Sequence, residues 1–175
     1  MKLTLIFFIL LMTTLHLNAQ TEEMIEAIRK HYRYVETNIN NFELVNDTTF
    51  EGSTDGATIR SYSDDGGLIK IRIEYLGETG KLHREFYIDE QQLLFVFDQE
   101  FHYNMPYYID AEQAQEMGFE EGFDPAKTKE LQHRYYFFNN KMIRWINPAG
   151  EHQGSGNSEW LEKQKYYLGE LAKLR

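Results

Sequence analysis

Residues 68–76 read Leu-Ile-Lys-Ile-Arg-Ile-Glu-Tyr-Leu, with Ile69, Ile71, Ile73 and Tyr75 on one side of an extended backbone and Lys70, Arg72 and Glu74 on the other. A period of two held over this length commits the segment to a strand with one buried and one solvated face. Short apolar runs of the same kind flank it at residues 42–50, 57–63, 81–88 and 93–103. Between them stand Asp64-Asp65-Gly66-Gly67, Gly77-Glu78-Thr79-Gly80 and Asp89-Glu90-Gln91-Gln92, which are tight-turn chemistry. Connections this short join antiparallel neighbours. Residues 94–97 are apolar on both faces, which places their strand in the middle of a sheet covered on both sides.

Helical periodicity brackets the strands. Met24, Ile28, Tyr32, Val35 and Ile39 line one face of a helix from residue 21 to about residue 39, with Thr21 at its cap and Glu22 and Glu23 in its first turn. Residues 104–130 interrupt the strands with Pro106, Gly118, Gly122 and Pro125, and residues 111–117 form a short helix within them. A further hairpin joins residues 131–138 to 142–147 through Asn139-Asn140-Lys141. Ser158 caps a last helix whose inner face carries Trp160, Leu161, Gln164, Leu168 and Leu171. The reading is α+β: a curved antiparallel meander of six or seven strands, with the N- and C-terminal helices packed on one face. No linker composition divides residues 20–175, so they form one domain.

One phrase occurs twice. His83-Arg84-Glu85-Phe86-Tyr87-Ile88 and His133-Arg134-Tyr135-Tyr136-Phe137-Phe138 each run into a turn and a second apolar strand. These strand pairs resemble the Tyr-x-x-Asn-Gly-Lys-Leu repeats of bacterial MORN-variant proteins, some of which act as antitoxins or immunity proteins. Asn140 and Gln91 stand where that pattern has glycine. The order helix, meander, long loop, hairpin, helix resembles exported Bacteroidetes-type proteins of uncharacterised activity, and this resemblance implies no chemistry.

Residues 1–19, MKLTLIFFILLMTTLHLNA, have the form of a secretory signal peptide: Lys2, a short apolar run, and a small residue at the cut. Cleavage leaves Gln20 first and no membrane span after it. With no cysteine the mature chain has neither disulfide nor lipid-anchoring thiol, so it is read as periplasmic or secreted. A net charge of −10 opposes contact with nucleic acid and anionic lipid.

No phosphate loop, dinucleotide fingerprint or zinc-protease helix is present, and no cofactor is implied. His83, His102 and His133 lack the short spacing of a metal site, and the carboxylates from Asp110 to Asp124 do not follow a calcium-loop pattern. Ser155 lies in a loop rather than at a strand–helix elbow. Glu74 and Glu85 are explained by cross-strand ion pairing, which leaves Asp98 and Glu100 as the strand carboxylates on which a small periplasmic hydrolase would rest. The stronger signal is aromatic. Of 12 Tyr, 12 Phe and 2 Trp, the group Phe101, Tyr103, Tyr107, Tyr108 and Trp145 suggests a noncatalytic binding or protein-interaction surface. Its partner would be a protein, peptide or glycan of the envelope. Tyr107 and Tyr108 are expected to be exposed, because adjacent residues in extended backbone cannot both face inward.

Overall fold

The computed structural model describes residues 2–175, with side chains from residue 19 onward. Its described elements are α1 (Lys2–Asn38), β1 (Glu43–Phe50), β2 (Ala57–Asp64), β3 (Gly67–Gly77), β4 (Gly80–Asp89), β5 (Gln92–His102), α2 (Ala111–Glu116), β6 (Lys129–Phe138), β7 (Lys141–Ile146) and α3 (Ser158–Leu174). The strands make one sheet in chain order, each antiparallel to the next. This is the α+β meander that the turn spacing implies, and it is open, with β1 and β7 as its edges. The expected leader falls almost wholly outside the residues described with side chains. Among residues so described, no helix is long and apolar enough to cross a membrane. Thr21 does not cap α1, because the helix runs straight through it.

Three of the hairpins share a construction that the sequence shows only twice. Tyr62, Tyr87 and Tyr136 each precede a two-residue turn, and seven residues after each tyrosine the outgoing strand carries an extra residue: Ile69, Leu94 or Ile143. An extra residue in an antiparallel pair is a β-bulge, which bends the strand and increases its twist. It also turns two consecutive side chains to one face. Ile69 and Lys70 therefore point the same way, and Ile69 leaves the stripe expected of Ile71 and Ile73.

The bulge residues and the tyrosines build the platform for α1. Ile25, Ile28 and Val35 of α1 pack on Ile69, Tyr87, Phe95 and Tyr136, with Tyr62, Leu94 and Ile143 alongside. Trp160, Tyr167 and Leu171 of α3 pack on Ile71, Phe86, Val96 and Tyr135. Phe86 and Tyr87 are neighbours on β4, so their side chains leave on opposite faces, and so do the helices they meet. The two helices thus cover opposite faces of the sheet and do not share one, as the sequence reading had it. The central strands have too much apolar surface on both sides for a one-sided cover. On α3 the cap is Asn157, whose side chain accepts from Trp160 N at 2.8 Å, and not Ser158. Leu161 is exposed and Tyr167 takes the buried place expected for it.

Each helix also meets a buried cation of the sheet. On the α1 face Lys70 Nζ lies 2.5 Å from Glu36 and 2.9 Å from Glu85, and the Tyr87 hydroxyl donates to both carboxylates. On the α3 face the Arg84 guanidinium forks onto Asp98 at 2.8 and 2.9 Å and reaches Glu170 at 2.9 Å. Tyr167 donates to Asp98 and Tyr75 to Glu170. Burial, then the nearby carboxylates, push the Tyr87 and Tyr167 phenols well above their ordinary range, so both remain donors. Burying each of Ile25, Ile28 and Val35 is worth about 2 kcal/mol, whereas a solvent-exposed pair such as Arg33–Glu26 adds little. Apolar burial holds the helices, and the ion pairs select where along the sheet they sit.

The β4–β5 and β6–β7 turns place both central residues at positive φ: Glu90 and Gln91 at 44° and 64°, Asn139 and Asn140 at 49° and 59°. Asparagine adopts this region at lower cost than glutamate or glutamine. Glu90→Asn combined with Gln91→Gly is expected to stabilise the fold by about 1 kcal/mol. A thermal melt checks it, and an unchanged or lower Tm contradicts the turn assignment.

Candidate functional site

Four of the five sequence-selected aromatics gather at the end of the sheet that carries the β3–β4 turn. Phe101 is covered by Lys81 Nζ at 4.9 Å and the His83 ring at 5.0 Å. Tyr103 packs on Phe123 at 5.1 Å, where Asn104 ties residues 122 and 124 to the strand end. Tyr107 and Tyr108 are the exposed pair, at 50% and 51%, with their rings edge to face at 5.6 Å and the Tyr108 hydroxyl donating to Glu78. Trp145 does not join them. It lies under α3, 4% exposed, stacked on Tyr135 at 5.5 Å, and belongs to the core. An inward position on β7 explains it: the bulge at Ile143 sets the side chain toward α3.

Three of the four strand carboxylates are committed to ion pairs, and Glu100 lies 3.4 Å from His102 at the surface. Asp98 is buried with both oxygens taken by Arg84 and a further bond from Tyr167. Glu85 is held by Lys70, and Glu74 by Arg72 and His83. His83 faces α1 and His133 faces α3, so the repeated histidines stand on opposite sides of the sheet. Among the described residues, no three His, Asp or Glu side chains converge as metal ligands would.

A groove of about 530 Å³ lies where α1 leaves the β5–β6 part of the sheet uncovered. Its floor is built by strand pairing: Phe97 stands opposite Arg134, and Gln99 opposite Gln132. Phe95 and Tyr136 close its inner end, with ring centroids 4.9 Å apart. Ile28, Arg29, Tyr32 and Arg33 form the helix wall, at the helical spacing of three and four. Sequence reading missed this site because its parts come from three separated segments. The signal was present in the pairs Arg29/Arg33 and Gln132/Arg134, each on one face of its element.

The electrostatics of the groove run against those of the chain. Its lining includes three arginines and no carboxylate among the described residues, in a protein of net charge −10. Glu26 lies outside the lining, 2.7 Å from Arg33 and 3.6 Å from Arg29. The Tyr136 hydroxyl, then Glu26, hold Arg29 firmly in its charged form. Arg134 stacks at 5.5 Å over Phe97 and gives one N–H to Gln132 Oε1. Gln132 and Gln99 both donate to Glu130, so a chain of amides fixes the Arg134 side chain from the strand end. Among the described residues Arg134 has no ion-pair partner, which leaves most of its donor fork facing the groove. A stacked guanidinium beside amides and rings is suited to holding an anion with an apolar body.

Comparisons with protein-family models, with curated proteins and with solved structures find no match to this chain.

Burial lowers both His83 and His133 below the ordinary histidine value of 6.5, although carboxylates beside each pull the other way. The unfolded chain therefore takes up these protons before the folded one does. Their contribution is full above pH 6.5 and falls away as the pH drops below it. Unfolding titrations between pH 7.5 and about pH 5 are expected to show falling stability, flattened in His83→Gln/His133→Gln. An identical slope in the double variant contradicts the assignment.

Proposed function

We propose that this protein is an exported, noncatalytic binding module whose ligand sits in the groove between α1 and β5–β6. One observation carries the reading: a concave site of small-molecule size pairs an aromatic floor with three arginines in an otherwise acidic protein. A volume near 530 Å³ lies inside the range of ligand pockets. Guanidinium, carboxamide and ring faces recognise and orient, whereas nucleophilic or proton-shuttling chemistry calls on groups of another kind. Of the strand carboxylates Asp98 and Glu100, on which a hydrolase reading would lean, Asp98 is already spent on Arg84. Export is supported by the form of residues 1–19.

Binding by residues already packed on a sheet needs little reorganisation, because Phe95 and Tyr136 are buried in the α1 cluster whether or not a ligand is present. An NMR screen of small organic fragments against the secreted protein tests the site. Fragments are expected to shift the amides of Tyr32, Phe97, Gln132 and Arg134 together. Shifts centred on Tyr107 and Tyr108, or none at millimolar fragment, contradict the groove as the binding site.

A further inference from the structure

We infer that the ligand of this groove is a small amphipathic carboxylate, its head on the Arg134 fork and its apolar body against Phe97 and Tyr32; this rests on the binding reading above. Among the described residues Arg134 has no carboxylate partner. The other strand arginines of this sheet meet carboxylates: Arg60 has Asp47, Arg72 has Glu74, Arg84 has Asp98 and Glu170, and Arg144 has Glu22 at 2.5 Å. Arg134 occupies the position in the second histidine–arginine phrase that Arg84 holds in the first. The two differ in environment, because Arg134 faces the α1 side and Arg84 the α3 side. Where Arg84 finds its carboxylate on the next strand, Arg134 finds the Phe97 ring.

A planar fork held by Gln132 and backed by a ring is organised for a bidentate acceptor before any ligand arrives. A carboxylate fits that fork with two parallel N–H···O bonds. Arg29 and Arg33, on the wall opposite, add positive field without closing on the head, since Glu26 already engages both. The aromatic floor fixes the other half of the ligand. Phe97 and Tyr32 are partly exposed within one concavity, with the buried rings of Phe95 and Tyr136 behind them, which suits an aryl or short alkyl body better than a polyanion. A polyanion such as nucleic acid also meets the repulsion of the remaining surface.

Isothermal titration of the secreted protein with 4-phenylbutyrate and with its uncharged amide tests the inference. The acid is expected to bind at least tenfold more tightly than the amide. Arg134→Gln is expected to abolish that preference while leaving thermal unfolding within a degree or two, and Arg134→Lys to recover only part of it. Equal binding of acid and amide, or a preference that survives Arg134→Gln, overturns the carboxylate assignment while leaving the groove as a binding site. Absence of binding by both probes, in a protein whose groove amides respond to other fragments, also overturns it. Silence in both experiments removes the groove itself.

Discussion

A bulged hairpin used three times is the constraint on which the rest of this structure depends. In each use a tyrosine precedes the turn and an aliphatic residue seven positions later is the extra residue of the outgoing strand: Tyr62 with Ile69, Tyr87 with Leu94, Tyr136 with Ile143. Without the bulge a strand alternates strictly, and a one-residue slip moves every side chain to the other face. With it, two neighbours share the α1 face, and the row of tyrosines and aliphatics becomes broad enough to seat a helix. Past the bulge the alternation resumes, so Ile71, Phe86 and Val96 reach the opposite face and seat α3. A single repeated device thus makes both cores.

Two buried cations then fix the helices on those cores. Lys70 and Arg84 have little solvent, and each draws a glutamate from the helix above it, Glu36 from α1 and Glu170 from α3. Removing the helix glutamate from either site leaves the cation on its strand carboxylate alone, Glu85 for Lys70 and Asp98 for Arg84, so the helix contributes the second half of each pairing. Slippage of either helix by a turn has the same effect. Held in this position, α1 covers the tyrosine row and stops short of the rows of Phe97/Arg134 and Gln99/Gln132. The groove is therefore a consequence of where Glu36 places the helix. Its content follows from strand pairing, which sets ring against guanidinium and amide against amide.

Much of this was legible in the residues. The seven strands, the hairpin turns and the flanking helices follow from period-two runs and turn residues, and residues 94–97, apolar on both faces, already called for a helix on each side. Packing both helices on one face ignored that signal. Three things lay beyond local pattern. The third copy of the hairpin phrase is hidden because Asp64-Asp65-Gly66-Gly67 shares its bulge register with the others but neither their residues nor their backbone, since only Gly67 has positive φ there. Trp145 looks like a surface anchor until the Ile143 bulge sets which face it takes. The groove joins residues from α1, β5 and β6 that are far apart in sequence, and no single segment of them is unusual. The exposure of Tyr107 and Tyr108 was readable, because two adjacent side chains in extended backbone diverge.

The account makes this protein a rigid platform whose helix and sheet leave one basic, ring-floored concavity open for an anion with an apolar body. A crystal structure of the secreted protein grown with 4-phenylbutyrate tests that claim most directly. The account predicts density in the groove with both carboxylate oxygens within about 3 Å of the Arg134 guanidinium and the phenyl ring against Phe97. A groove left empty while the ligand lies on Tyr107 and Tyr108, or a ligand seated with its carboxylate turned away from Arg134, would contradict it.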